Sequence, residues 1–279
     1  MYKLVASDMD GTFLSEAHTL IPANVEAVHR MRALGILFVP ASGRPYPSVM
    51  SSLEGMRDVL EGSYVISLNG AFIHRVGDAE PIFGSQLDAD AAAGIWSHGR
   101  ELDLCMHVYT ASGGYYVANL SEDEREWLQG LGGIIDLGPA PADLSFAGDD
   151  PVVKILYQSE DYGYVKRLGA QMSASRLDLD KVSVTYSSDR YVEFMPAGVS
   201  KGAGLTRLAE HLGIDMAETV AVGDAANDVD MVRAAGLGVG VGNATSELAP
   251  HCDAVLETGA YDGAFPELVE RYLEPAACG

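Results

Sequence analysis

Four short clusters carry residue types able to act together: Asp8 and Asp10 within Asp-Met-Asp-Gly-Thr at 8–12, Ser42-Gly43-Arg44, Ser200-Lys201-Gly202, and Gly223-Asp224 with Asn227-Asp228. An aspartate can attack phosphorus and carry it as an aspartyl-phosphate, while it is a poor nucleophile for most other purposes. Magnesium takes oxygen ligands, typically one or two carboxylates with water and substrate phosphate, and Asp8 and Asp224 can supply them. The Lys201 ammonium and the Ser42 hydroxyl suit the oxygens of a transferring phosphoryl group, where positioning and charge neutralisation matter most. An EF-hand does not fit, because its fifth and sixth positions fall on Thr12 and Phe13.

Such chemistry needs all four clusters on one rim, and the patterning predicts this. Residues 3–7 are an apolar, β-prone run that stops at Asp8. A helix is predicted over 22–34, with Val25, Val28, Met31 and Leu34 on one face and Gly35 as its stop. A strand over 36–39 runs into Pro40-Ala41-Ser42-Gly43-Arg44-Pro45, a helix follows over 48–60, and a strand over 64–68 ends at the hairpin pair Asn69-Gly70. Strands alternating with helices imply an α/β fold with a doubly wound, mostly parallel Rossmann-like sheet. The carboxyl ends of its strands are where ligands bind.

The rhythm changes near Ser85. Hairpin signals around Ser112-Gly113-Gly114 and Ser187-Ser188-Asp189 mix with helices over 88–102, 121–129 and 161–172, as in a separate α+β module. Alternation returns with a helix over 201–212, strands over 219–222, 237–241 and 254–256, and a helix over 228–235. The expected organisation is a discontinuous core, 1–84 plus 191–279, with an α+β insert at 85–190.

The net charge of −22, from 40 acidic and 18 basic residues, opposes binding to nucleic acid or an anionic membrane. No run of eighteen apolar residues occurs, and no basic segment with a cleavage site opens the chain. Three scattered cysteines, Cys105, Cys252 and Cys278, form neither a disulfide framework nor a zinc pattern. A cytoplasmic protein with reduced thiols is the expectation.

In their order, DMDGT, SGR, SKG and GDAAND resemble the four motifs of the haloacid dehalogenase-like phosphatases. The GVSKG run, the NGA at 69–71 and the GNA at 242–244 with Asp262-Gly263 are similar to the Cof-like branch, which carries an α+β cap between the second and third motifs. The resemblance implies a Mg²⁺-dependent phosphatase of small phosphorylated metabolites, sugar phosphates foremost. It makes Asp8 the nucleophile and a metal ligand. Asp10 would protonate the leaving oxygen, then activate water, its carbonyl reaching the metal. It gives Ser42, Lys201 and Asn227, with the amides of Met9 and Gly43, to the phosphoryl oxygens. Asp224 would bind metal directly, and Asp228 directly or through water.

Three other readings share these residues. Gly198-Val199-Ser200-Lys201-Gly202 satisfies the G-x-S-x-G of a serine hydrolase, with Asp224 and His251 following in order, although Pro196 and Ala197 separate it from the strand it should follow. A phosphomutase would use the same aspartyl-phosphate, and a silent metabolite-binding protein would keep the fold without turnover. Arg44, Tyr109, Tyr115, Tyr116, Tyr186 and Arg190 are candidates for substrate selection, since aromatic and cationic groups stack on or hydrogen-bond a sugar or cofactor ring. His107, inside a strand of the insert, reads as structural.

Overall fold

In the computed structural model, which describes residues 1–129, 133–178 and 180–278, the chain divides into two compact units, Met1–Phe83 with Ser200–Gly279 and Gly84–Val199. Strand β1 (Leu4–Ser7) is buried on both faces, as its unbroken apolar run requires of a central parallel strand. Helix α1 (Pro22–Ala33) opens on a proline, whose missing amide hydrogen would have had no helical partner there. Strand β2 (Leu37–Pro40) pairs with β1 from Leu4 opposite Leu37 to Ser7 opposite Pro40. Helix α2 (Tyr46–Ser52) is shorter than the predicted 48–60, giving way to a 3-10 turn over Glu54–Met56 where Gly55 weakens the helix.

Strands β3 (Tyr64–Ser67), β4 (Phe72–Arg75) and β5 (Phe83–Gly84) form a separate three-stranded sheet in that order. The sequence pattern assigns β3 to the parallel sheet; the structure joins it there only by a bridge from Ala41 to Ile66 and the Ser42 amide on the Ile66 carbonyl at 2.9 Å. Pro40, with no amide hydrogen, cannot extend the ladder. Leu68, Asn69 and Gly70 between β3 and β4 all have positive φ, at 48°, 52° and 95°.

In the second unit come α3 (Ala89–Glu101), β6 (Cys105–Thr110), β7 (Tyr115–Ala118), α4 (Glu122–Trp127) and β8 (Ile134–Asp136). They are followed by β9 (Val152–Gln158), α5 (Tyr162–Ser175), β10 (Val182–Ser187) and β11 (Tyr191–Pro196). The sheet runs β10-β11-β9-β6-β7-β8 and is antiparallel except between β7 and β8. One sheet face joins the apolar layer that includes Trp96 of α3 and Val165, Leu168 and Met172 of α5, and it carries Met106, Val108, Ile155, Tyr157, Val192 and Phe194. Alternation sends His107, Tyr109, Tyr115, Lys154, Gln158, Tyr191 and Glu193 to the other face.

This corrects the expected end of the insert at 190. Strand β11 pairs with β9 and β10 along its length, so it belongs to the insert, which returns to the core at Ser200. Pro196 lies inside this strand's last pair, opposite Val182, and not at the start of the core.

The first unit resumes with α6 (Lys201–Leu212), stopped by Gly213 in the left-handed conformation, then β12 (Thr219–Gly223), α7 (Val229–Ala234), β13 (Leu237–Gly240) and β14 (Ala254–Val255). A short α8 (Phe265–Leu268) passes through a wider turn into α9 (Glu274–Cys278). The main sheet, β14-β13-β12-β1-β2, is entirely parallel. One face is filled by Phe13, Phe38 and Phe265, with Phe13 4.8 and 4.9 Å from the other two rings, and the other by Leu205, Leu208, Met231 and Val232. This is the double layer expected of a doubly wound fold. Among the described residues, no helix is long and apolar enough to cross a membrane.

Candidate active site

Strands β1 and β12 are paired in register, Ser7 opposite Val222, so both end together and release Asp8 and Asp224 at the same rim. The Asp8 amide continues the ladder onto the Val222 carbonyl at 2.9 Å. A 3-10 turn over Ala226–Asp228 folds Asp228 back beneath Asp224, where Asp228 Oδ2 accepts the amides of Asp224 at 3.0 Å and Ala225 at 3.2 Å. Gly223 permits this, since a Cβ there would lie 2.5 Å from the Asp228 side chain. Asn227 sits half-buried on the same turn.

Lys201, the first residue of α6, is fully buried, and its ammonium bonds both Asp8 Oδ1 and Asp228 Oδ1, the latter at 2.7 Å. Burial alone would lower its pKa, but the two carboxylates hold it above the ordinary lysine range. Burial pushes Asp8 well above the usual carboxylate value; Lys201 opposes this, while Asp228, Asp224 and Asp10 add to it. Asp224 is raised to about 6 by burial and by Asp228, with the Thr12 hydrogen bond pulling the other way. Three carboxylates, Asp8, Asp224 and Asp228, around one lysine leave negative charge to be neutralised.

One oxygen each from Asp8, Asp224 and Asp228 lie within 4.8 Å of one another. An all-oxygen set of this kind fits a hard divalent cation. These residues, named from sequence as metal ligands, are brought together by the fold.

Ser42 follows β2, is buried, and accepts the Arg44 amide on its hydroxyl at 3.1 Å. Asn69, at φ 52°, packs its side chain so close to Gly43 that a Cβ on the glycine would meet it at 3.1 Å. Arg44 turns to the motif it was not expected to meet: its guanidinium bonds Asp10 Oδ1 and reaches Ser52 Oγ at 3.2 Å. Burial would raise Asp10, but hydrogen bonds and charge from His18 and Arg44 hold its carboxyl below the ordinary range. The Met9 side chain is buried in the core, leaving its backbone at the rim.

Sequence reasoning missed Thr12, His18 and Asn243 as supports of this rim. Asn243 donates to the Gly11 carbonyl at 2.9 Å and accepts from the Ala260 amide at 2.7 Å, joining two loops. Thr12 and Asn243 lie within quoted motifs, a signal that could have flagged them; His18 lies in none.

Of the candidates in the insert, Tyr116 packs against Phe146 at 5.1 Å and Tyr186 faces Tyr162 at 6.5 Å, both on the helix-covered side of the sheet. Tyr109 and Tyr115 stack at 4.4 Å on the opposite side, with Lys154 4.6 Å over the Tyr109 ring. Arg190 bonds Asp123 and, at 2.7 Å, Glu124, which also accepts from Tyr191 at 2.6 Å and lies 3.2 Å from His107. The serine-hydrolase arrangement is not assembled. Ser200 caps α6, its hydroxyl accepting the Ala203 amide at 3.1 Å, and Asp224 is engaged by Thr12.

A sequence profile described as haloacid dehalogenase-like hydrolase matches residues 5–268. Phosphatase YwpJ of Bacillus subtilis (strain 168) is 29% identical over 281 residues, covering 94% of this chain and 96% of its own. The HMP-PP phosphatase of Cronobacter sakazakii is 29% identical over 252 residues, covering 89% of this chain and 87% of its own. A solved haloacid dehalogenase-like hydrolase from B. subtilis superposes with a TM-score of 0.83 at 25% identity, over 97% of this chain and 100% of that one.

Proposed function

Because this chain belongs to the haloacid dehalogenase-like hydrolases, and to the phosphatases among them, we propose that it hydrolyses small phosphorylated metabolites through an aspartyl-phosphate on Asp8. The observation that carries this reading is the buried Asp8–Lys201–Asp228 ion triad beside Asp224. Lys201 keeps the Asp8 carboxylate oriented at the strand end and supplies positive charge for the phosphoryl oxygens, where a globally acidic protein needs it most.

In this reading an Asp8 oxygen attacks phosphorus while the bond to the leaving oxygen breaks, and Asp10 passes a proton to that oxygen. Asp10 then takes a proton from water as the water attacks phosphorus, and the bond to Asp8 breaks to release inorganic phosphate. Ser42, Lys201, Asn227 and the amides of Met9 and Gly43 hold the phosphoryl oxygens throughout. A Mg²⁺ ion held by Asp8, Asp224, Asp228 and the Asp10 carbonyl would draw charge from those oxygens.

We place the substrates among sugar phosphates and assign leaving-group selection to the insert, with Tyr109, Tyr115 and Arg190 as the contacts on the side of its sheet opposite α3 and α5. The cytoplasm suits the free thiols of Cys105 and Cys252. Replacing Asp8→Asn tests the mechanism: phosphate release and covalent phosphate on the protein both disappear, and turnover near the parent rate would overturn it. Transfer of label from a bisphosphate to a monophosphate acceptor would identify a mutase instead, and tight binding of metabolites with no turnover by the parent protein a silent binder.

A further inference from the structure

The loop after β1 is closed on itself more tightly than a connection to α1 requires. Leu14 and Leu20 form an antiparallel bridge, the Ser15 amide reaches the Thr19 carbonyl at 2.9 Å, and the two hydroxyls of Ser15 and Thr19 meet at 2.8 Å. At its tip His18 donates its amide to the Ser15 carbonyl at 2.9 Å and adopts φ 57°, a left-handed conformation unfavourable for a residue with a side chain. The loop thereby aims the imidazole back at the rim, where Nδ1 lies 2.8 Å from Asp10 Oδ1 and 2.9 Å from Arg44 Nη2.

Arg44 bonds that same Asp10 oxygen, and Arg44 is itself fixed through Ser52, through its amide on Ser42 Oγ, and through its carbonyl, which accepts the Leu68 amide at 3.0 Å. With hydrogen on Nδ1, the imidazole donates beside the guanidinium, giving two donors on one acceptor. Both contacts converge on Oδ1, so the rotation of the Asp10 carboxylate is set and Oδ2 faces away from the pair. A freely rotating acid would present the wrong oxygen, or none, to the leaving group for part of the time.

We propose that His18 is a positioning residue for Asp10, orienting its carboxylate together with Arg44 for proton transfer to the leaving oxygen. This rests on the reading of Asp10 as the general acid. If the loop only needs a residue tolerant of the left-handed conformation, His18→Gly keeps it and removes the donor. His18→Asn also tolerates that conformation and places an amide nitrogen where Nδ1 stands.

The test compares kcat/KM for p-nitrophenyl phosphate, whose leaving group needs little protonation, with that for a hexose 6-phosphate, whose alkoxide needs a proton, and uses Asp10→Asn as reference. His18→Gly is expected to lose about tenfold or more on the sugar phosphate and at least about tenfold less on the aryl ester, with His18→Asn within about threefold of the parent on both. Equal losses on both substrates, or an Asn variant as poor as Gly, would overturn the assignment. If Asp10→Asn itself fails to discriminate between the two esters, Asp10 is not the acid, and both the reading and the assignment fall. If Asp10→Asn discriminates and His18→Gly does not, the assignment alone falls.

Discussion

The hydroxyl of Thr12 donates to Asp224 Oδ1 at 2.8 Å, tying the loop after β1 to the loop after β12. The contact depends on Gly11, which has φ 78° and whose Cβ, were there one, would lie 2.6 Å from the other oxygen of Asp224. Two loops that carry opposite halves of the rim approach each other at the one position where no side chain stands.

Replacing Gly11→Ala should therefore push Asp224 aside as well as strain the backbone. We expect a stability loss of about 1–3 kcal/mol from the left-handed alanine and a fall in kcat/KM of roughly a hundredfold, because an ångström of displacement at a reacting centre has that effect. Urea denaturation and steady-state kinetics on one preparation would measure both. A variant with parental kinetics would show that Asp224 can move without consequence.

Removing the positive centre of the buried triad should be more damaging. Lys201→Met leaves Asp8 and Asp228 facing each other without compensation, at about 3–5 kcal/mol. Circular dichroism during urea denaturation, in chelator and then in excess Mg²⁺, is the measurement. The expected outcome is a destabilised protein partly restored by the cation, and unchanged stability in chelator would contradict the triad's role.

At the proposed metal site, proton and cation would compete for the same oxygens. With Asp224 raised to about 6 and Asp8 also raised, the folded, metal-free protein holds protons that the unfolded chain has released. The contribution of Asp224 to stability is thus present below about pH 4 and lost as pH rises from there to about 6. Cation binding needs the ionised groups, so affinity runs the opposite way. Calorimetric titration with Mg²⁺ should give binding about tenfold weaker near pH 5 than near pH 7. A flat profile would disprove the competition.

Both tryptophans, Trp96 and Trp127, lie in the insert, so their fluorescence follows that unit alone. Glu124 is fully buried there among His107, Arg190 and Tyr191. Glu124→Ala should shift the fluorescence-detected urea transition by about 1–3 kcal/mol, since it takes a buried acceptor from His107 and Tyr191 and leaves Arg190 with Asp123 as its remaining carboxylate, with Glu124→Gln losing less. Coincident transitions for the parent and the alanine variant would show that the cluster contributes nothing.

The rim was legible in the sequence because each of its clusters follows a local signal, a strand end or a helix start, that short-range patterning reveals. The alternation at 191–196 points to the wrong unit for the converse reason. The pattern is the same whichever sheet receives the strand, and only the strand's long-range pairing with β9 and β10 decides. Alternation likewise does not say which face of a sheet the helices cover, so it leaves Tyr116 and Tyr186 undistinguished from Tyr109 and Tyr115. His18 was invisible because its importance comes from a backbone angle, and nothing in Glu16-Ala17-His18-Thr19 announces a left-handed residue.

The chain leaves the first unit beside the helix through which it comes back. Phe83, at the exit, packs its ring 5.5 Å from His211 and 5.7 Å from the Arg207 guanidinium, both on α6, and α6 begins at the residue after the point of return. Gly70, on the neighbouring loop, approaches Ser200 so closely that a Cβ would fall 2.1 Å from its carbonyl oxygen. Both splice points are therefore anchored to α6 of the first unit, and Lys201 at its start is held independently of the length of chain threaded between them. A chain built this way can take a different insert without redrawing the register of Lys201 against Asp8 and Asp228.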